Sequence, residues 1–204
     1  MKKSAPSRST ASPHSRAKGE IRLISGIWRG RKLPVLNAQG LRPTGDRIKE
    51  TLFNWLAPYI VEARCLDAFA GSGSLGFEAL SRQAKWVTFL ELDRQVVAQL
   101  KQNLITLKAS SHAQIRNEDS LALLRKNPKE VGETPFDLVF LDPPFHFQLA
   151  EQAATLLENQ QWLAQGALIY VETEKDCAFH APSTWQCLKE KTSGMVCYRL
   201  YQKE

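Results

Sequence analysis

Leu66-Asp67-Ala68-Phe69-Ala70-Gly71-Ser72-Gly73-Ser74-Leu75-Gly76 decides the fold. The stretch leaves a β-type run that starts at Arg64 and enters an apolar, helix-forming segment, so its glycines stand where a strand turns into a helix. Gly71, Gly73 and Gly76 have G-x-G-x-x-G spacing. Such glycines let the backbone approach a ligand closely, and the helix behind them offers unpaired N–H groups. Taken alone the pattern is a weak signal. Glu91, about 20 residues on, closes the next β-type run and can accept hydrogen bonds from both hydroxyls of a ribose. This much suits a nicotinamide enzyme equally well.

Asp67 shifts the balance. A carboxylate at the carboxyl end of the first strand repels a pyrophosphate but attracts an α-ammonium group. S-adenosylmethionine carries that ammonium and no phosphate, so it is the expected cofactor. Asp119 follows the third β-type run and can accept from an adenine amino group. It can equally cap a helix that starts at Ser120, and both roles can hold.

Outward from the glycine loop, residues 64–68, 86–91, 113–116, 136–141 and 167–172 are short β-rich runs separated by helix-length segments. That alternation predicts right-handed crossovers and an α/β fold with a parallel sheet covered on both faces. The chain ends differently, with strand-like runs at 185–191 and 195–202 joined by Thr192-Ser193-Gly194, which predicts an antiparallel hairpin at the sheet edge. Upstream, Ile21, Leu23 and Ile24, a basic turn over residues 26–30, and an extended run at 32–36 predict a β-hairpin carrying Arg29, Arg31 and Lys32. Thr44 is placed to cap a helix running to about Tyr59, whose apolar face is Ile48, Leu52, Phe53 and Leu56. The division is thus a disordered basic arm (1–19), a hairpin and helix (20–60) and the main α/β domain (61–204).

Phe136-Asp137-Leu138-Val139-Phe140-Leu141 reads as a buried strand that delivers Asp142-Pro143-Pro144-Phe145 to the end of the sheet where open α/β folds bind ligands. An exocyclic amine on a nucleobase is a poor nucleophile because its lone pair is delocalised into the ring, and its protons must be held while the nitrogen pyramidalises. The Asp142 carboxylate and the Pro143 carbonyl can accept those two N–H bonds, Pro144 stiffens the loop, and Phe145 can stack on the base.

The 204 residues, 43% hydrophobic and 24% charged, describe a soluble globular chain, and no apolar run approaches the roughly 20 residues of a membrane span. Residues 1–42 hold 10 of the 27 Lys and Arg against one acid, Glu20. That front end carries +9 and the remainder −3, which points to a polyanionic partner. Cys65, Cys177, Cys187 and Cys197 form no C-x-x-C pair and the histidines no ligand spacing, so reduced thiols and no metal are expected. Lys2 and Lys3 precede no apolar segment, and a cytoplasmic protein is expected.

The glycine loop followed by Asp142-Pro143-Pro144-Phe145 resembles the class I S-adenosylmethionine-dependent methyltransferases that modify exocyclic amines through (Asp/Asn)-Pro-Pro-(Phe/Tyr). Further, Ile21-Arg22-Leu23-Ile24-Ser25-Gly26-Ile27-Trp28-Arg29-Gly30-Arg31-Lys32-Leu33, Leu41-Arg42-Pro43-Thr44 and Asp46-Arg47-Ile48-Lys49-Glu50-Thr51-Leu52-Phe53-Asn54-Trp55-Leu56 resemble the front end of the bacterial small-subunit ribosomal RNA guanine-N2 methyltransferases. The resemblance implies a mixed seven-stranded sheet of order 3-2-1-4-5-7-6. It also implies cofactor contacts from Asp67 to Gly73, at Glu91, Leu92, Asp119 and Ser120, with reaction at Asp142 to Phe145. Its substrate would be one guanine of 16S ribosomal RNA, met in a small-subunit assembly particle by a monomeric enzyme. Arg29, Arg31 and Lys32 would then bind the RNA, and Arg42, Thr44 and Arg47 would touch RNA phosphate or the target base. An adenine-N6 or cytosine-N4 methyltransferase of DNA would use the same tetrad. A dehydrogenase would leave the tetrad unexplained, and an RNA-binding module on a dead fold would not need Asp67, Glu91 and Asp142 together.

Overall fold

Parallel pairing builds the centre of the sheet. In a computed structural model describing residues 18–36, 45–144 and 148–204, β3 (Arg64–Asp67) lies between β4 (Trp86–Leu90) and β6 (Phe136–Leu141). Asp67 is in register with Phe89 on one side and Phe140 on the other, so the three strands end together. β5 (Ala113–Arg116) extends the sheet beyond β4, and β7 (Leu163–Glu174) extends it beyond β6. β8 (Trp185–Ser193) and β9 (Val196–Lys203) close the edge as the expected antiparallel hairpin.

The order is β5-β4-β3-β6-β7-β9-β8. It differs in numbering from the expected 3-2-1-4-5-7-6 because the two strands of the front hairpin come first in the chain. Counted within this sheet alone, each strand has the expected neighbours.

Helices cover both faces. The hairpin strands β1 (Lys18–Arg22) and β2 (Lys32–Leu36) pack on one face with α1 (Asp46–Leu56), α2 (Ser74–Ser81) and α3 (Arg94–Leu107). The other face buries α4 (Ser120–Leu124) and α5 (Leu149–Asn159) against Val139, Leu141, Ile169 and Val171. The central strands are apolar on both faces because both are covered, which is why they read as continuous runs rather than alternating ones.

Several boundaries differ from the sequence reading. β1 begins at Lys18, inside the segment expected to be disordered. The N-cap of α1 is Gly45 and the helix stops at Leu56, so Thr44 is not the cap; it lies outside the described residues, as do Arg42 and residues 1–17. Pro58 explains the early stop: it has no N–H to donate to the Asn54 carbonyl, so the helical ladder ends there although Ala57 keeps helical angles. β7 starts well before Ala167, with a register shift opposite Phe136 and Leu138, because Gly166 at φ +71° interrupts the apolar pattern without ending the strand.

The hairpin is clamped to the helix behind the glycine loop. Glu78 of α2, fully buried, accepts the N–H groups of Ile24 (2.8 Å) and Ser25 (3.1 Å) and pairs with Arg82. Ser81 donates to the Ser25 carbonyl and accepts from Trp28. Gly26 permits the close approach: at φ +80°, a Cβ there would lie 1.9 Å from the Ser81 carbonyl oxygen. Lys49, buried on the apolar stripe of α1, donates to the Arg22 carbonyl (2.7 Å) and to Ser74 Oγ (3.1 Å), tying hairpin, α1 and loop together.

Candidate active site

Three strand ends supply the site. β3 delivers Asp67, which is 2% exposed, and its Oδ2 accepts the Gly76 N–H at 3.0 Å from the first turns of α2. The carboxylate therefore ties the start of the glycine loop to its end. The sequence reading had it facing the crevice directly; the structure gives it this loop-closing bond first. Gly76 must be glycine, since a Cβ would sit 2.2 Å from the Phe89 ring and 3.0 Å from that same oxygen. Burial pushes the Asp67 carboxyl up to about 7, the Gly76 N–H opposing and the charge of Glu91 adding to the shift.

Between these anchors the loop is held by backbone bonds to both neighbouring strands. Ala68 N–H donates to the Phe140 carbonyl (3.1 Å) and Ala70 N–H to the Leu90 carbonyl (2.9 Å). Gly71 and Gly73 turn the chain at φ +49° and +75°, with Phe69 half-buried and Ser72 buried between and before them.

β4 delivers Glu91. Its Oε2 accepts the Gly71 N–H (2.9 Å) and its Oε1 the Asp93 N–H (2.7 Å). A carboxylate has about four acceptor positions, so two remain for a vicinal diol. Leu92 beside it is 66% exposed, an apolar surface at the rim that a planar base can cover. Asn117, which the sequence reading did not single out, donates to the carbonyls of Glu91 (3.0 Å) and Leu92 (2.8 Å) and sets that rim. Asp119 caps α4, accepting the Ala122 N–H at 2.7 Å, and remains exposed, while Ser120 donates to the Ala68 carbonyl and joins the third strand end to the loop.

β6 delivers Asp142, half-buried, then buried Pro143 and exposed Pro144; Phe145 lies outside the described residues. The Ala68–Phe140 bond sets this segment directly beside the glycine loop. Pro143, Pro144, Glu172 and Thr173 are among the residues lining a cavity of about 210 Å³. Asp67, the glycine loop, Glu91 and Asp142 are thus brought to one end of the sheet. Of the basic candidates, Arg29, Arg31 and Lys32 are exposed on the hairpin, Lys32 pairing with Glu20 at 3.0 Å, and Arg47 is exposed in the first turn of α1.

A sheet of this order, with its glycine loop after the first central strand and Asp-Pro-Pro after the fourth, defines the class I methyltransferase fold. A solved structure described as a putative methyltransferase of Escherichia coli superposes with a TM-score of 0.82 at 53% identity, covering 91% of this chain and 99% of that one. A family model described as Conserved hypothetical protein 95 matches residues 21–202, and the chain belongs to that family. It is 67% identical over 187 residues to the Ribosomal RNA small subunit methyltransferase D of Haemophilus influenzae, covering 91% of this chain and 95% of the relative. With the protein of the same name from Escherichia coli K12 it shares 52% over 193 residues, 94% of each.

Proposed function

We propose that the chain transfers a methyl group from S-adenosylmethionine to the exocyclic N2 of a guanine in the 16S ribosomal RNA of the small subunit. The observation that carries the reading is Asp142-Pro143-Pro144 leaving β6 beside the loop that Asp67 and Glu91 brace. The names of the close relatives support a small-subunit RNA as substrate. The reading extends to a cytoplasmic monomer acting on an assembly particle.

When bound, the cofactor supplies an electrophilic methyl group on a sulfonium. Asp67 favours its ammonium end, Glu91 takes the ribose diol, and Leu92 with Asp119 borders the adenine. The target guanine leaves its stack to enter the cleft. There Asp142 and the Pro143 carbonyl hold the two amine protons and turn the nitrogen lone pair out of conjugation. As the methyl group would part from sulfur and bond to that nitrogen, positive charge would develop there, Asp142 would stabilise it most strongly at that moment, and the surplus amine proton would then pass through the carboxylate to water.

Glu91→Ala is expected to weaken S-adenosylhomocysteine binding by about 1–3 kcal/mol in calorimetry, through lost ribose bonds and a loosened Gly71 N–H. Unchanged affinity would move the ribose contact elsewhere. Deleting residues 1–17 removes Lys2, Lys3, Arg8 and Arg16 and leaves β1 whole. The slope of log affinity for RNA against log salt should then flatten while cofactor affinity stays constant. An identical slope would show that the arm does not meet phosphate. The reading as a whole is tested by offering labelled cofactor with small-subunit RNA, small subunits or DNA and identifying the labelled nucleoside. N2-methylguanosine is expected, and N6-methyladenosine or N4-methylcytosine would replace the substrate while keeping the fold.

A further inference from the structure

Glu172 is a buried carboxyl on β7, 6% exposed, among the residues that line the cavity beside Pro143 and Pro144. Leu141 and Val171 are the last registered pair of β6 and β7, and Asp142 and Glu172 follow them on adjacent strands. Tyr170 donates its hydroxyl to Glu172 Oε2 at 2.8 Å. Among the described residues, Oε1 of Glu172 takes no hydrogen bond. A carboxylate has about four acceptor positions, so Glu172 can take a second donor from the cavity that it lines.

We propose that Glu172 is the residue that reads the target base as guanine, its carboxylate accepting the ring N1–H while Asp142 holds the neighbouring N2 amine. This rests on the function proposed above. Guanine places a donor, N1–H, next to its exocyclic amine. Adenine and cytosine place an unprotonated ring nitrogen there, whose lone pair a carboxylate repels. One side chain thus admits the first base and rejects the other two. Tyr170 orients the carboxylate, and β7 holds it at the level of Asp142. A site built to pair a substrate N–H discriminates strongly against an analogue lacking it, because its own buried group is then left unpaired.

The test uses 2-aminopurine riboside, which keeps the N2 amine but has an unprotonated N1. The methylated guanosine is located by mapping the product, and small-subunit RNA is prepared with either guanosine or 2-aminopurine at that position. Wild type is expected to prefer guanosine by about 100-fold or more in kcat/KM. Glu172→Gln, whose amide can donate to an unprotonated N1 as well as accept from N1–H, should narrow the preference at least tenfold, with S-adenosylhomocysteine binding unchanged. A preference equal in wild type and variant overturns the proposal. Equal wild-type rates on the two substrates overturn it without any variant. N2-methylguanosine formation with an unaltered preference removes only the role of Glu172, whereas a methylated base other than guanine removes the functional reading too.

Discussion

Asp142→Ala is expected to fold, to bind S-adenosylhomocysteine and RNA near wild-type strength, and to lose on the order of 10²–10³ in single-turnover methyl transfer. Asp142 lies at the end of β6, past the registered pairs that hold the strand, so its truncation leaves those pairs in place. What is lost is an interaction that strengthens as the amine becomes positive, and such a loss falls on rate rather than on affinity. Asp142→Asn is the sharper comparison, because it keeps an acceptor oxygen but removes the charge. It should lie between wild type and Asp142→Ala. Near-wild-type single-turnover rates in Asp142→Ala would make the Asp-Pro-Pro segment a structural turn.

The second large effect concerns pH. The Asp67 carboxyl rises from an ordinary 3.8 to about 7, chiefly through burial. Between those two values the folded chain keeps a proton that the unfolded chain has released, so stability falls as pH rises through that window. Above about 7 the whole cost is present, on the order of 4 kcal/mol. Asp67→Asn preserves an oxygen for the Gly76 N–H and carries no charge. It should therefore raise the melting temperature of the ligand-free protein at pH 8 and change it little at pH 4. The same variant should weaken cofactor binding, because an ammonium group nearby favours the ionised carboxylate. Wild-type affinity for S-adenosylhomocysteine should increase from pH 6 to pH 8, and Asp67→Asn should flatten that dependence. A variant no more stable than wild type at pH 8 would mean that Asp67 is relieved of its burial cost by the loop itself.

Much of this site is legible in the sequence because its parts are local. The apolar runs that become β3, β4 and β6 are buried on both faces, so composition alone marks them, and the glycines and prolines that follow impose turns whatever the rest of the chain does. Capping by Asp119 is local too. What escaped the sequence depends on partners far along the chain. Lys49 and Glu78 interrupt apolar stripes, and a charge within such a stripe is the one signal they give; their partners at Arg22, Ser74, Ile24 and Ser25 belong to other elements. The bond from Asp67 to Gly76 converts a presumed ligand contact into a brace for the loop as well. Glu172 and Tyr170 read as ordinary strand residues until β7 is laid beside β6.

Methyl transfer to N2 of guanine promoted by Asp142 is open to a single-turnover reaction with labelled S-adenosylmethionine and small-subunit RNA. The product is digested to nucleosides for wild type and for Asp142→Ala. Label is expected in N2-methylguanosine for wild type, with a drop on the order of 10²–10³ in its rate of appearance for the variant. Label in N6-methyladenosine, or equal rates for the two proteins, would contradict it.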